Sequence, residues 1–440
     1  MKKIAILGFG REGQSLLKFL LKDDIYKKSE ITICDCNPNV LASNKKSANI
    51  FFQTGENYLK NLERFNIIFR SPGVSYDFPE IQKALKSGIE ISSVTKLFFE
   101  KAKKIKCKII GVAGTKGKGT TATLIYQMLK ASGKNVFLAG NIGKPAIELL
   151  PQLSKLNSPQ NTIIVLEISS FQLIDLNTSP EIATILDVFP DHLDIHKNLK
   201  EYVEAEAGIA KWQKNKDKIF FFSDNQYSKL IAQKSKGQKI PVSVENFDLF
   251  RQKDLKIRGK HNFKNAVMAA SLCLSLDCPK EKIIKTAKSF RGNEHRLEFV
   301  RNIKGIQFYN DSASTIAQAT VAAITAFEEP KILIAGGQDK NLDYTPLSKE
   351  LKNSNTELII LFGKNKHKIK KALSNIKIKL ILVKNLQRAV DLAYQSAKQI
   401  QLKQKNSSVF IIFSPASTSF DMFSNYAERG KIFKKIVKGL

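Results

Sequence analysis

The 440-residue sequence predicts an α/β protein of three domains, each built around a mainly parallel sheet. Three observations carry this reading. The length matches about three domains of the usual ~100–200 residues. Short apolar runs alternate with helical stretches along the whole chain. Two glycine-rich loops each follow a strand and open a helix.

In order, the first unit reads as a strand over 3–7, a helix over 11–22, strands over 30–35 and 66–69, and a helix over 79–87, the rhythm of a parallel α/β unit. A lysine-rich patch over 101–108 precedes a strand over 109–113 that opens the second unit. Further strands over 162–166 and 183–186 belong to it, followed by an alanine-rich helix after Gly259. A third set begins at Phe299 and continues over 306–309, 331–335, 357–362, 379–383 and 408–413. The domains are therefore expected at 1–99, 100–296 and 297–440.

Composition bounds the function. With 43% apolar and 25% charged residues the chain is globular rather than disordered. Apolar runs such as 163–168 and 409–413 fall far short of the roughly 20 residues of a membrane helix, and the N-terminus enters a strand pattern without a signal-peptide core. Membrane insertion is not expected, and a cytoplasmic location is. The net charge of 71 − 40 = +31 sits on scattered lysine doublets without a nucleic-acid-binding signature, so a lysine-rich surface is expected rather than a nucleic-acid partner. Five cysteines (Cys34, Cys36, Cys107, Cys273, Cys278), odd in number and uneven in spacing, form neither a disulfide framework nor a zinc motif.

The first loop, Gly8-Phe9-Gly10-Arg11-Glu12-Gly13, is trailed by Asp35 at the end of the next strand. Glycines there let the backbone approach a pyrophosphate, and the acid takes a hydroxyl or a base edge. The pattern fits NAD, another nucleotide-type ligand, or a tight turn with no ligand. The second loop, Gly114-Thr115-Lys116-Gly117-Lys118-Gly119-Thr120-Thr121, is a phosphate loop: main-chain N–H groups wrap phosphate oxygens, Lys118 reaches the terminal phosphates, and a hydroxyl ligates Mg²⁺. Gly119 stands where Ser or Thr normally follows the lysine, so Thr120 takes the metal role, with Thr121 as the alternative. Polar residues also gather after strands at Glu167 to Leu173, Asp187 to Asp194 and Gly259 to Asn265. Glu167 and His192 beside the phosphate loop could bind a second hard cation. His196, His295 and His367 read as surface or structural residues.

In order and spacing, Gly114 to Thr121, Gly140 to Gly143, Glu167 to Leu173, Asp191-His192, Gly259 to Asn265 and His295-Arg296 resemble the Mur ligase family. Asn310-Asp311-Ser312, Gly336 to Lys340, and Ser414 to Phe423 with Tyr426 and Arg429-Gly430 resemble its D-glutamate-adding branch. The resemblance covers nearly the whole chain. It implies three domains: N-terminal Rossmann-like, central P-loop ATPase-like α/β, and C-terminal Rossmann-like. It also implies an ATP-dependent ligase of peptidoglycan synthesis, with a part in cell shape and division, acting on UDP-MurNAc-L-Ala and D-glutamate with two Mg²⁺, as a monomer.

By the same resemblance, the UDP-substrate is bound by Gly8, Gly10, Arg11, Gly13, Asp35, Ser71, Pro72, Gly73, Asn141, Ser169 and Gln172. ATP is bound by the whole phosphate loop with Asn262, His295 and Arg296. The metals are held by Thr120, Glu167, His192 and Glu206, and D-glutamate by Lys340, Ser419 and Tyr426. Lys118, Glu167, His192 and Lys340 are the expected catalytic set. Three departures stand out. The family's Gly-Asp/Glu-Ile-Glu segment reads Ser92-Ser93-Val94-Thr95-Lys96. Glu206 stands where the family carries a carbamylated lysine, as a replacement oxygen ligand or a solvated helix residue. Ala313 follows Asn310-Asp311-Ser312 where well-known members have lysine. The rival readings are a folylpolyglutamate synthetase-like ligase, which shares the Gly-Lys-Gly-Thr loop, and a basic P-loop protein acting on nucleic acid.

Overall fold

The computed structural model describes all residues except 44–48, 142, 191–195, 340–341 and 405–407; the side chains of 41–43 are likewise left out. His192 and Lys340 therefore lie outside the described residues. The fold is mixed α/β with three sheets, as the sequence predicts.

The chain forms two compact units, one of Met1–Leu249 with Lys264–Ala287 and one of Phe250–Phe263 with Lys288–Leu440. The first holds two sheets. Strands β1 (Lys3–Leu7), β2 (Glu30–Asp35), β3 (Ile50–Thr54), β4 (Ile67–Arg70) and β5 (Glu90–Ser93) pair in parallel in the order β3-β2-β1-β4-β5. The chain order reverses between β1 and β4, which opens a crevice beyond their C-terminal ends. Strands β6 (Lys108–Ala113), β7 (Asn135–Gly140), β8 (Thr162–Glu167), β9 (Ile182–Ile185), β10 (Lys218–Phe222) and β11 (Gln238–Val242) make a second parallel sheet, order β11-β10-β9-β6-β8-β7. Fully buried runs such as Ile4–Leu7 are what a sheet covered on both faces requires. The two sheets share one apolar core, from Ile4 and Phe69 through Phe98 to Ile109 and Ile219. The helix Val94–Ile105 runs across residue 100, and its Ser93 cap accepts from the Lys96 N–H at 3.2 Å.

The second unit carries β12 (Glu298–Ile303), β13 (Ile306–Asn310), β14 (Lys331–Gly336), β15 (Thr356–Phe362), β16 (Lys379–Leu382) and β17 (Val409–Phe413) in the order β12-β13-β17-β14-β15-β16. β12 is antiparallel to β13; the other pairings are parallel. No helix among the described residues is long and apolar enough to cross a membrane.

Candidate functional site

In the first unit the phosphate loop leaves β6 at the middle of its sheet and opens the helix Lys118–Ala131. Because β8 and β9 flank β6 in parallel, Glu167 at the end of β8 and Asp187 just beyond β9 stand on either side of the loop's root. The main chain locks the three together: Thr115 N–H donates to Asp187 O at 3.0 Å, and Ile168 N–H to Val112 O at 3.0 Å. Gly117 has φ +88°, and a Cβ there would lie 2.2 Å from Asn265 Oδ1, so only glycine admits this approach.

Lys118 Nζ donates to Gly114 O at 2.6 Å and Thr115 O at 3.0 Å, holding its charge over the loop. Thr120 is half-buried at the first turn of the helix, whereas Thr121 is fully buried, with a hydroxyl lacking a hydrogen-bond partner. Glu206, 1% exposed, accepts from Gly114 N–H at 3.0 Å. The solvated alternative for Glu206 is thereby overturned. Lys264 bridges Asp187 at 2.8 Å and Asp224 at 3.0 Å and lies 4.4 Å over the Phe222 ring. Sequence reading had placed Lys264 and Asn265 only within a polar segment; nothing in the residue types shows that one clamps an aspartate and the other seats Gly117. Among the described residues no group of three or more His, Cys, Asp or Glu is arranged to hold a metal.

The first glycine loop follows β1, and Ser71 after β4 donates to Gly8 O at 2.8 Å, so these two predicted segments meet at the crevice. Gly13 packs where a Cβ would lie 2.3 Å from Gly8 O. Asp35 is turned onto the loop: its carboxylate accepts from Phe9 N–H at 2.6 Å and Asn37 N–H at 2.8 Å. Arg11 donates to Gly143 O. Gln172 donates to Glu12 at 2.7 Å and accepts from Ser169 N–H at 3.0 Å, which joins this loop to the segment after Glu167. Burial pushes the Glu12 carboxyl above the usual range, against the Gln172 bond. Asn141 N–H reaches Glu167 O at 3.4 Å.

In the second unit the loops after β14, β15 and β17 interlock. Asn365 donates to Ser417 Oγ at 2.7 Å and accepts from Gly337 N–H at 2.8 Å, while Gln338 N–H donates to Thr418 O at 2.9 Å. Arg429, fully buried, donates to Ser312 and Thr418 carbonyls at 2.8 and 3.1 Å, and burial lowers its pKa to about 10. Ser419 is buried beside this lattice and Tyr426 is half-exposed at a helix start. His295 is buried, 2.9 Å from Asn310 and edge-on to Tyr426, and burial lowers its pKa. The structural reading of His295 and His196, both buried, fits this packing better than a surface one. Asn262 donates to Arg258 O at 2.7 Å.

Residues 2–93 match the family model "Mur ligase MurD-like, N-terminal domain", and residues 112–255 match "Mur ligase middle domain". The UDP-N-acetylmuramoylalanine–D-glutamate ligase of Clostridium acetobutylicum is 36% identical, over 100% of this chain and 97% of the relative. That of Acetivibrio thermocellus is 35% identical over the same shares, 100% and 97%. Among solved structures, the UDP-N-acetylmuramate-alanine ligase of Thermotoga maritima shares the fold at a TM-score of 0.55 and 17% identity, covering 100% of both chains. The MurF ligase of Thermotoga maritima, solved in complex with ADP, does so at 0.55 and 16%, covering 99% of this chain and 95% of that one. Likeness at that identity speaks for the fold alone. Sequence shared with the ligases from end to end, on a phosphate loop rooted between Glu167 and Asp187, makes the chain a member of the Mur ligase family.

Proposed function

We propose that this protein is the ATP-dependent ligase that joins D-glutamate to UDP-N-acetylmuramoyl-L-alanine in peptidoglycan precursor synthesis, acting as a cytoplasmic monomer. The observation that carries the reading is the full-length 36% identity to a ligase so named. The phosphate loop supports it, with its N–H groups, Lys118 and flanking carboxylates at one strand-end cluster. The domain limits 1–99, 100–296 and 297–440 belong to the same proposal.

Making an amide from a carboxylate in water is uphill, so a carboxylate oxygen must first become a good leaving group. The alanyl carboxylate attacks the γ-phosphorus of ATP, ADP departs, the D-glutamate amine attacks the acyl carbon, and phosphate leaves. The loop N–H groups and Lys118 neutralise the transferring phosphoryl charge. Hard oxygen donors at Thr120, Glu167 and Glu206 suit Mg²⁺, with His192 as a further ligand. Bound there, the two Mg²⁺ would supply Lewis-acid neutralisation of phosphate charge. Gly8, Gly10, Arg11, Gly13, Asp35, Ser71, Pro72, Gly73, Asn141, Ser169 and Gln172 hold the UDP-substrate. Asn262, His295 and Arg296 border the nucleoside of ATP, and Lys340, Ser419 and Tyr426 take the glutamate carboxylates.

The test is phosphate release by purified protein with ATP, UDP-MurNAc-L-Ala and each amino acid in turn. D-Glutamate should be preferred over L-glutamate and meso-diaminopimelate. Equal rates with L-glutamate would sink the specificity, and no release with any acceptor would sink the ligase reading.

A further inference from the structure

We propose that His196 is a positioning residue that ties the segment Ser169–Gln172 to the phosphate loop; this rests on the ligase reading above. His196 is 2% exposed and its Nε2 lies 3.1 Å from Ser170 Oγ. Its ring is parallel to Phe171, with centroids 5.3 Å apart and 2° between planes, and it stands 5.3 Å from the ring of Tyr202. The Tyr202 hydroxyl is 2.9 Å from Thr115 Oγ1. Thr115 Oγ1 in turn accepts from Phe189 N–H at 3.0 Å, so the hydroxyl at the base of the phosphate loop is pinned from two sides.

At the other end, Ser170 sits in the short helix Ser170–Leu173, where Gln172 reaches Glu12 of the first glycine loop. A run of contacts therefore leads from the half-buried Glu12 to Gln172, along the short helix to Ser170, and through the buried His196 and Tyr202 to Thr115. The middle of that run asks for a flat ring that fits between Phe171 and Tyr202 and for a ring nitrogen at Ser170, and histidine supplies both. The phosphate loop needs such a brace. Its glycines restrain the backbone weakly, whereas anion stabilisation depends on N–H groups already aimed. His196 thus acts on the reaction through Thr115 and touches no reacting atom.

The test uses Ser170→Ala and Tyr202→Phe, singly and together, because the first deletes the hydroxyl at His196 Nε2 and the second the hydroxyl by which the ring packed on His196 reaches Thr115, and both leave the ring packing in place. Each single change should lower kcat/KM for ATP by about three- to tenfold. The double variant should fall within about twofold of the worse single, since both changes interrupt the same run of contacts that ends on Thr115. The conservative His196→Gln, which keeps a nitrogen for Ser170 but loses the stack, should retain more activity than His196→Ala. Losses that multiply in the double variant would overturn the proposal. So would melting temperatures that drop while kcat/KM for ATP stays at the parent level. ADP affinity by titration calorimetry is read on the same proteins. A parent that binds ADP but ligates nothing would defeat the ligase reading, and the ADP affinities of the variants would still decide the role of His196.

Discussion

The main-chain N–H of Gly114 donates to the Glu206 carboxylate at 3.0 Å, which fastens the end of the helix Leu199–Glu206 to the root of the phosphate loop. One turn earlier Tyr202 reaches Thr115, so two side chains on one helix face hold two consecutive loop residues.

If Glu206 takes the metal-ligand role proposed above, this buried carboxylate is already in place and activity should not respond to added bicarbonate. Glu206→Ala leaves a buried N–H without its acceptor, a cost of about 1–3 kcal/mol, and should also raise the Mg²⁺ concentration needed for half-maximal turnover. Steady-state rates over a Mg²⁺ titration, with and without bicarbonate, check both. Bicarbonate stimulation of the parent, or a Glu206→Ala protein that matches the parent at every Mg²⁺ concentration, would count against this role.

Lys118→Ala should reduce phosphate release by at least about a hundredfold, because a cation preorganised at the transferring phosphoryl group contributes several kcal/mol in a shielded site. Circular dichroism should be unchanged, since Lys118 is bonded only to the loop's own carbonyls at Gly114 and Thr115 among the described contacts. Near-parental turnover would remove the phosphate-binding role from this loop.

Gly117→Ala tests the loop's shape. The new methyl would meet Asn265 Oδ1 at 2.2 Å from a φ of +88°, so Asn265 and the loop cannot both stay in place. Gly133→Ala is the control: its φ is +78°, yet nothing lies within 4 Å of the added Cβ, so it carries backbone strain alone. ADP affinity by calorimetry should fall at least about tenfold for Gly117→Ala and stay near parental for Gly133→Ala, the difference being the lost N–H cradle.

Much of this architecture was legible because buried strands leave unbroken apolar runs. β1, β6 and β17 are apolar along most of their length and end where loops begin. The edge strands β3, β7 and β11 are less legible because their side chains are partly exposed and polar residues interrupt or flank their apolar stretches; β11 even carries Pro241, tolerable where only β10 pairs with it. β5 spans only four residues, and β10, though apolar, has no counterpart among the strands the sequence predicts. The glycine loops were readable because their spacing encodes backbone geometry. The braces were not: nothing in a one-dimensional string says that Tyr202 lies against Thr115 or that Arg70 reaches Asp175, since these contacts depend on how helices dock.

Asp311 gives the second unit a pH dependence. It is buried, accepts from Ser414 Oγ at 2.7 Å and Leu297 N–H at 3.0 Å, and burial pushes its pKa from 3.8 to about 6. The folded state therefore holds this proton more tightly than the unfolded chain does. Its contribution, on the order of 3 kcal/mol, is complete below about pH 4 and is lost as the pH rises through about 6. Urea unfolding at steps between pH 4 and 7 should show this fall in the parent and a flatter profile in Asp311→Asn. Identical slopes in the two proteins would contradict the assignment.

Arg70 at the end of β4 and Asp175 beyond β8 form an ion pair of 2.8 Å, with side chains 2% and 5% exposed, and Arg70 also donates to Phe171 O and Val74 O at 2.7 Å each. Burial raises the Asp175 pKa while Arg70 pulls it back, so the charge there depends on its partner. Arg70→Met should cost about 3–5 kcal/mol, because it leaves a carboxylate buried alone and strands two carbonyls. Arg70→Met with Asp175→Leu should recover part of that loss, since the uncompensated charge is gone although Phe171 O and Val74 O still lack a donor. Urea unfolding of parent, both singles and the double variant reads the cycle. A double variant no more stable than Arg70→Met alone would mean that the guanidinium acts through the carbonyls and not through Asp175.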